Sequence, residues 1–323
     1  MSALMDLKTD YAFKQLFGKP ETADILRAFL NALLPRDTAE GIVALDIANT
    51  EMAPARRLGK GKRLDIYVRT DRGEHINLEI QVGRELAMPK RTLLYWSGLY
   101  EAQATSGMDY GQLNRAITVN IVNFVMLPST ARYHTSYHVY EDAERSVLTN
   151  VLEMHFVELP KFRRSHRRRL ETAAKDPLGR WLLLLDAAKN IRIRNALEEI
   201  AMVDPTMDHA LSVWEEISRD PEHYADYLSR RKALLDELSR EARIRSAASA
   251  EQRGLEQGLK QGLKQGLKQG MEQGMEQGME QGARKTQRQI ARAMLAAGES
   301  VERVMKFTGL SAEEIAALQQ NEA

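Results

Sequence analysis

The sequence predicts a mixed α/β fold that continues into a helical C-terminal region. Three observations carry this expectation: apolar residues at helical spacing near the start, short β-branched runs between residues 42 and 159, and a glycine at every fourth position from Gly254 to Gly282. At 323 residues the chain has length for about two domains. Hydrophobic residues make up 43% and charged residues 28%, so a core can form without metal or disulfide staples. There is no cysteine, which excludes a disulfide scaffold, a thiolate zinc site and a cysteine nucleophile, and points to a cytoplasmic protein. The opening MSALMDLKTDYAFKQLF has no basic segment leading an apolar run, and no later stretch has the length of a membrane span. Forty-six Lys and Arg against 45 Asp and Glu give +1, so whole-chain charge neither demands nor forbids a nucleic-acid partner.

Phe13, Leu16 and Phe17, then Ile25, Leu26, Phe29, Leu30 and Leu33, mark two amphipathic helices broken around Gly18-Lys19-Pro20. Runs 42–47, 64–68 and 76–82 are rich in β-branched residues with alternating polarity and read as strands. A helical pattern over 89–105 carries Leu93, Leu94, Trp96 and Leu99; strands are expected again at 117–124, 133–140 and 152–159. This order predicts a mixed sheet flanked by helices.

From Pro177 the pattern turns helical, through Trp181 to Leu185, then Asp204-Pro205 as N-cap and first helical residue, then 221–245. Between Gly254 and Gly282 eight glycines fall in a G-[LM]-[KE]-Q repeat. Each interior glycine costs a helix about 1 kcal/mol against alanine, so a stripe of them calls for packing against something. Period four overshoots 3.6 and suits a right-handed wrap. Lys260, Lys264 and Lys268 fill one half, and Glu272, Glu276 and Glu280 the other, so two antiparallel copies would pair every Lys with a Glu. A homo-oligomer through this helix is expected; a repeat expanded and tolerated as a solvated helix is the alternative. In the tail, Ser311 with Glu314 makes a capping box. The three short helices resemble a helix-turn-helix, but the last, EEIAALQQ, carries no Arg or Lys, which favours packing or oligomerisation. The expected divisions are 1–170, 171–252, 253–283 and 284–323.

The hairpin of strands 64–68 and 76–82 holds the candidate chemistry. Centring its turn, Asp71-Arg72-Gly73, on Arg72 sets Asp65 opposite Glu79, on the faces away from Ile66 and Val68 and from Leu78 and Ile80. Like charges facing across a ladder destabilise it, and a divalent cation removes the conflict. Carboxylate oxygens with water suit Mg²⁺ or Mn²⁺. The bland reading is a hairpin whose polar face is wet. Further on, Lys161 and Arg163, Arg164, Arg167, Arg168 and Arg169 place six cations in nine residues, enough for several phosphate contacts or simply a solvated face. His155 and His166 lack i,i+4 partners and read as structural.

Asp65 followed by Glu79-Ile-Gln81 on the second strand, after an N-terminal helix, resembles the PD-(D/E)xK nuclease core. More specifically, Lys8-Thr-Asp10-Tyr-Ala-Phe-Lys14-Gln-Leu-Phe17, Phe29-Leu-Asn31, Leu64-Asp65-Ile, Asn77-Leu-Glu79-Ile-Gln81, Arg91 with Tyr95, and Glu158-Leu-Pro-Lys161-Phe162 resemble the Rpn family of recombination-promoting nucleases and putative transposases. The resemblance spans residues 6 to about 162 and extends to the glycine repeat and the three-helix tail. It implies a restriction-endonuclease-like α/β core and a metal-dependent DNA endonuclease associated with recombination or transposition. Asp65 and Glu79 would hold Mg²⁺ or Mn²⁺, and the third position would orient or activate the attacking water. That position is Gln81, which cannot exchange a proton as an amine can but positions water or a phosphate oxygen. Asp10 matches the acidic residue that the superfamily often adds from its first helix, and Glu51 is a second candidate for the metal. Arg91, Gln103 and Tyr110 resemble the helix by which related nucleases touch the strand. The alternative function is a catalytically inactive DNA-binding or regulatory oligomer.

Overall fold

The computed structural model describes residues 4–34, 41–48, 65–85, 87–166 and 170–320. The chain divides into two compact units, Met1–Ser239 and Arg240–Ala323. The first opens with helices α1 (Asp10–Phe17) and α2 (Ala23–Leu33), followed by strands β1 (Leu45–Ala48), β2 (Ile66–Thr70) and β3 (His75–Gln81). Then come helix α3 (Met88–Glu101) and strands β4 (Ala116–Val122), β5 (His134–Tyr140) and β6 (Val147–Glu158). Helices α4 (Leu159–His166), α5 (Leu170–Lys175), α6 (Pro177–Asp186), α7 (Ile191–Ala201) and α8 (Pro205–Arg219) lead to α9 (Pro221–Ala296). The expected start signal at Asp204 acts as read: Asp204 caps α8 by accepting from the Thr206 and Met207 amides, with Pro205 in the first turn, and the Thr9 hydroxyl caps α1 by accepting from the Ala12 amide.

Six strands form one mixed sheet in the order β1-β2-β3-β4-β6-β5. β1, β2 and β3 are an antiparallel meander, β3, β4 and β6 run parallel, and β5 closes the other edge antiparallel to β6. The β2–β3 turn is tight because Gly73 adopts φ 77°, a conformation that a Cβ penalises. One face of the sheet packs Ile66, Val68, Ile76, Leu78 and Ile80 onto α1, α2 and helices α6 to α8, with Phe13, Phe17, Phe29 and Trp181 meeting ring to ring beneath them. Helices α6 to α8 therefore share the sheet's core.

The other face of the hairpin is not wet. The α3 crossover between parallel strands β3 and β4 lays Tyr95 and Leu99 over Tyr67 and Ala116, and every β3 residue from His75 to Ile80 is buried. The buried side of α3 is also not the expected one. Leu93 and Leu94 are exposed, while Thr92, Tyr95, Gly98 and Leu99 point inward, because a shorter, more polar stripe matches the polar strand face below it.

The chain's start is tied to its later helices. The Trp214 indole donates to the Met5 carbonyl at 2.8 Å, the Met5 amide to Ser218 at 3.1 Å and the Asp6 amide to the Tyr227 hydroxyl at 3.1 Å. These bonds fix the first turns of α9 beside α1. In the second unit, the end of α9 packs with α10 (Val301–Thr308) and α11 (Ala312–Gln320) around Ala291, Val304, Leu310 and Ile315. Gly309 turns the chain at φ 70°, and Ser311 and Glu314 form the expected reciprocal cap at 2.9 and 3.2 Å.

Phe17 is fully buried against Phe13, Phe29 and Trp181, so Phe17→Ala should destabilise the fold by about 3–5 kcal/mol. Urea unfolding should show a lowered midpoint with an unchanged slope; a loss below about 1 kcal/mol would mean that the aromatic cluster does not organise the core.

Candidate active site

The hairpin register places the acids as the turn geometry requires. Ile66 pairs with Leu78 and Tyr67 with Asn77, so the next position sets Asp65 across from Glu79. Asp65 lies just before β2, where its Oδ2 accepts from the Ile80 amide at 3.3 Å. Its Oδ1 lies 2.9 Å from Lys14 Nζ, which reaches Asp10 Oδ1 at 2.6 Å one helical turn back along α1. Glu79 is buried; its Oε1 accepts from the Asn77 amide group at 3.1 Å, and its Oε2 lies 3.6 Å from Arg91 Nη2. Arg91 is itself aimed by α3, donating from Nε to the Tyr95 hydroxyl at 3.1 Å with its guanidinium over the Tyr95 ring.

Burial dominates the electrostatics of both acids. Desolvation pushes the Asp65 carboxyl up to about 6, with Lys14 opposing and Asp10 adding to the rise. Desolvation and the nearby Asp65 charge push Glu79 up to about 7, against Arg91 and Asn77. Beside them, Asn77 Oδ1 is buried without a hydrogen-bond partner among the described residues. Two desolvated carboxyls and an orphaned amide oxygen form an all-oxygen set that fits a hard divalent cation. Among the described residues no cluster of three or more His, Asp or Glu is arranged for a metal. A cation here would take Asp65 and Glu79 and complete its shell with water and phosphate oxygens, as Mg²⁺ does.

Two cavities open here, one beside Asp65 and one beside Gln81. One, of about 480 Å³, is lined by Asp65, Lys14, Asp10, Tyr11 and Arg230; the other, of about 300 Å³, by Gln81, Lys8, Asp10, Tyr11 and Arg230. Asp10, Tyr11 and Arg230 border both. The Arg230 guanidinium lies over the Tyr11 ring, and Tyr11 is held by His223 Nδ1 at 2.8 Å.

Asp10, Asp65, Glu79, Gln81 and Arg91 are thus gathered at one end of the hairpin. Gln103 instead braces a loop through the Asn114 amide and carbonyl, and Tyr110 stands exposed on a short 3₁₀ turn; neither lines the two cavities. Arg163 is bonded to Asp186 and Asn123, and Arg164 is exposed on α4. Glu51, Arg167 and Arg168 lie outside the described residues. His155 is structural, bonded to Glu153 Oε1 at 2.8 Å and His134 at 2.9 Å.

Residues 7–243 match the family model described as PD-(D/E)XK nuclease family transposase, over well more than half of the chain. The chain belongs to this family. Residues 284–320 match a second model, described as the C-terminal HTH domain of the Rpn/YhgA-like nuclease family. No curated protein and no solved structure matches the chain. The Rpn family and its PD-(D/E)xK core are therefore as the hairpin motif implied, while the preference for a tail that only packs gives way to a helix-turn-helix domain. The helix-turn-helix signal lies in the three-residue turn 309–311 and not in the charge of the last helix. Lys14 stands in the motif without an assigned role, and Arg230 goes unmarked in the sequence. Lys14 carried a signal, sitting four residues after Asp10 on a predicted helix; Arg230, more than two hundred residues away, carried none.

The raised carboxyls give the apoprotein a defined pH response. Both hold protons in the fold to higher pH than in the unfolded chain, so stability should fall as pH rises from the ordinary carboxylate range through about 6 and about 7. Urea midpoints in a chelator at about pH 5 and about pH 8 should show this loss in the parent. The loss should be much smaller in the paired variant Asp65→Asn, Glu79→Gln, and equal losses in both would remove the pair as its source.

Proposed function

We propose that the chain is a Mg²⁺- or Mn²⁺-dependent DNA endonuclease that hydrolyses phosphodiester bonds, working in recombination or transposition. The observation that carries this reading is the desolvated Asp65–Glu79 pair, with Asp65 in the wall of a cavity and Glu79 buried across the hairpin from it. When bound there, the cation would supply Lewis acidity, activating water and neutralising phosphate charge. The chain's own residues do the rest. Asp65 and Glu79 hold the cation. Gln81 offers an amide that donates to and accepts from a water or a phosphate oxygen without changing charge. Lys14 keeps a positive charge beside Asp65 that the third motif position, being glutamine, does not provide. Arg91 balances the buried Glu79, and its guanidinium is a fork suited to a phosphate of the strand. The backbone of the DNA passes along the two cavities, where Arg230 forms no ion pair among the described residues, with exposed Arg164 as an outlying contact.

The helix-turn-helix domain offers a second DNA contact. Its last helix has no Lys or Arg, but Arg284, Lys285, Arg288 and Arg292 form an exposed basic row at the end of α9, the first helix of the domain, suited to phosphates more than to bases. We also infer that the glycine-repeat helix joins copies of the chain into a homo-oligomer.

Supercoiled plasmid, incubated with the parent and Mg²⁺ or Mn²⁺, should be nicked, and a chelator should stop the reaction. Asp65→Ala and Glu79→Ala should each abolish nicking while remaining folded, because each substitution removes one of two repelling charges. Gln81→Ala should lose about 10²-fold, the scale of a positioning group. Retained nicking in both pure acid variants would overturn the site. A parent that binds DNA but cuts nothing with either metal would make the protein a regulatory DNA-binding oligomer instead.

A further inference from the structure

Within the second unit, α9 exposes a row that a lone helix has no reason to expose. Leu255, Leu259, Leu263, Leu267, Met271, Met275 and Met279 are each between 63% and 76% exposed, at four-residue spacing. Seven large apolar side chains in one line mark an interaction surface. Beside this ridge, the glycines from Gly254 to Gly282 leave a groove in which an added Cβ would meet nothing within 4 Å. Ridges and grooves along the i, i+4 direction interdigitate in right-handed helix pairs, and a row of period four lets two copies wrap so that contact persists along the repeat.

The charges alongside identify the occupant. The third position of each repeat, read from residue 256 in steps of four, is Glu256, Lys260, Lys264, Lys268, Glu272, Glu276, Glu280 and Arg284. Turned end for end about Gly270, this column becomes its own complement. Glu256 faces Arg284, Lys260 faces Glu280, Lys264 faces Glu276 and Lys268 faces Glu272. A helix tuned for itself would alternate these signs four residues apart. Here Lys260, Lys264 and Lys268 repel one another along the helix, as do the three glutamates, and only Lys268–Glu272 and Glu280–Arg284 pair within the row, at 3.8 and 3.4 Å. The arrangement weakens the single helix and favours a pair.

We propose that the occupant is a second copy of the same helix, crossing antiparallel in a right-handed sense with its two-fold axis at Gly270. The Leu and Met ridge of each copy lies in the glycine groove of the other, and the charge column sets direction and register. A two-fold contact of this kind closes on itself and makes a discrete dimer. This inference rests on the self-association stated above, and is independent of whether the first unit cuts DNA. The competing arrangements are definite. Parallel copies in register set like charges together. Parallel copies slipped by twelve residues restore Lys–Glu contacts, but leave open ends that grow into chains.

The sequence has no cysteine, so introduced thiols report geometry without background. In the full chain, Lys264→Cys mixed with Glu276→Cys should form a disulfide between the two variants on mild oxidation. Neither variant should crosslink alone, because in the antiparallel pair each position lies twelve residues, about 18 Å along the axis, from its own copy. Lys260→Cys mixed with Glu272→Cys should give none, being eight residues out of register. Sedimentation of the parent should show a dimer that dissociates when the three lysines become glutamates, and that reforms on mixing with the variant whose three glutamates became lysines. Crosslinking of single variants would establish parallel pairing. Crosslinking of the 260 and 272 mixture would establish the slipped chain, and a parent that sediments as a monomer would remove the assembly altogether. Each of these results overturns the proposal.

Discussion

Two carboxyls facing each other across one rung of a hairpin, beneath a helix that keeps water from one of them, set the terms for the first unit. Neither burial nor repulsion is tolerable for a pair of charges at this position, and the fold answers with bound protons or with cations. Lys14 comes to Asp65 from α1 and Arg91 comes to Glu79 from α3, one from each layer of the sandwich. Both helices are held where those cations reach. α1 is locked by the aromatic cluster around Phe17, and α3 by the crossover that joins two parallel strands. The core is thus the device that keeps two acids together against their repulsion, a repulsion that the cation of the proposed function would relieve.

The helices after the sheet belong to the same arrangement. They bury Trp181 and Trp214 in the common core, bind the chain's first residues, and bring Arg230 of α9 over Tyr11. A cavity wall beside Asp65 is therefore built by residues at opposite ends of the first unit. This explains why the matched family region runs to residue 243, well past the last strand, and why the helices share one body with the sheet.

Much of this was legible in the sequence where periodicity and turn chemistry agree. The tight turn at Gly73 fixed which residue faces which, and so the pairing of Asp65 with Glu79 followed from counting alone. The caps at Asp204 and Ser311 were equally local. What escaped was non-local. Burial of the hairpin's polar face depends on where α3 returns, and α3 disguised its inner side by carrying Leu93 and Leu94 outward. Arg163 reads as a free cation in a basic run, but Asp186, on a helix twenty-three residues later, holds it. Arg230 joins the site only through tertiary packing. The glycine repeat is the reverse case. Its meaning lies almost wholly in the sequence, because charge order along one helix is visible before any fold.

The central claim is that Asp65 and Glu79 together form a divalent-cation site. Its most direct test is titration of metal-free protein with Mn²⁺, followed by electron paramagnetic resonance of the free ion. The parent should bind Mn²⁺ saturably, Mg²⁺ should compete for the same site, and Asp65→Ala and Glu79→Ala should each lose it. A parent that takes up no Mn²⁺, or variants that bind as the parent does, would contradict the account.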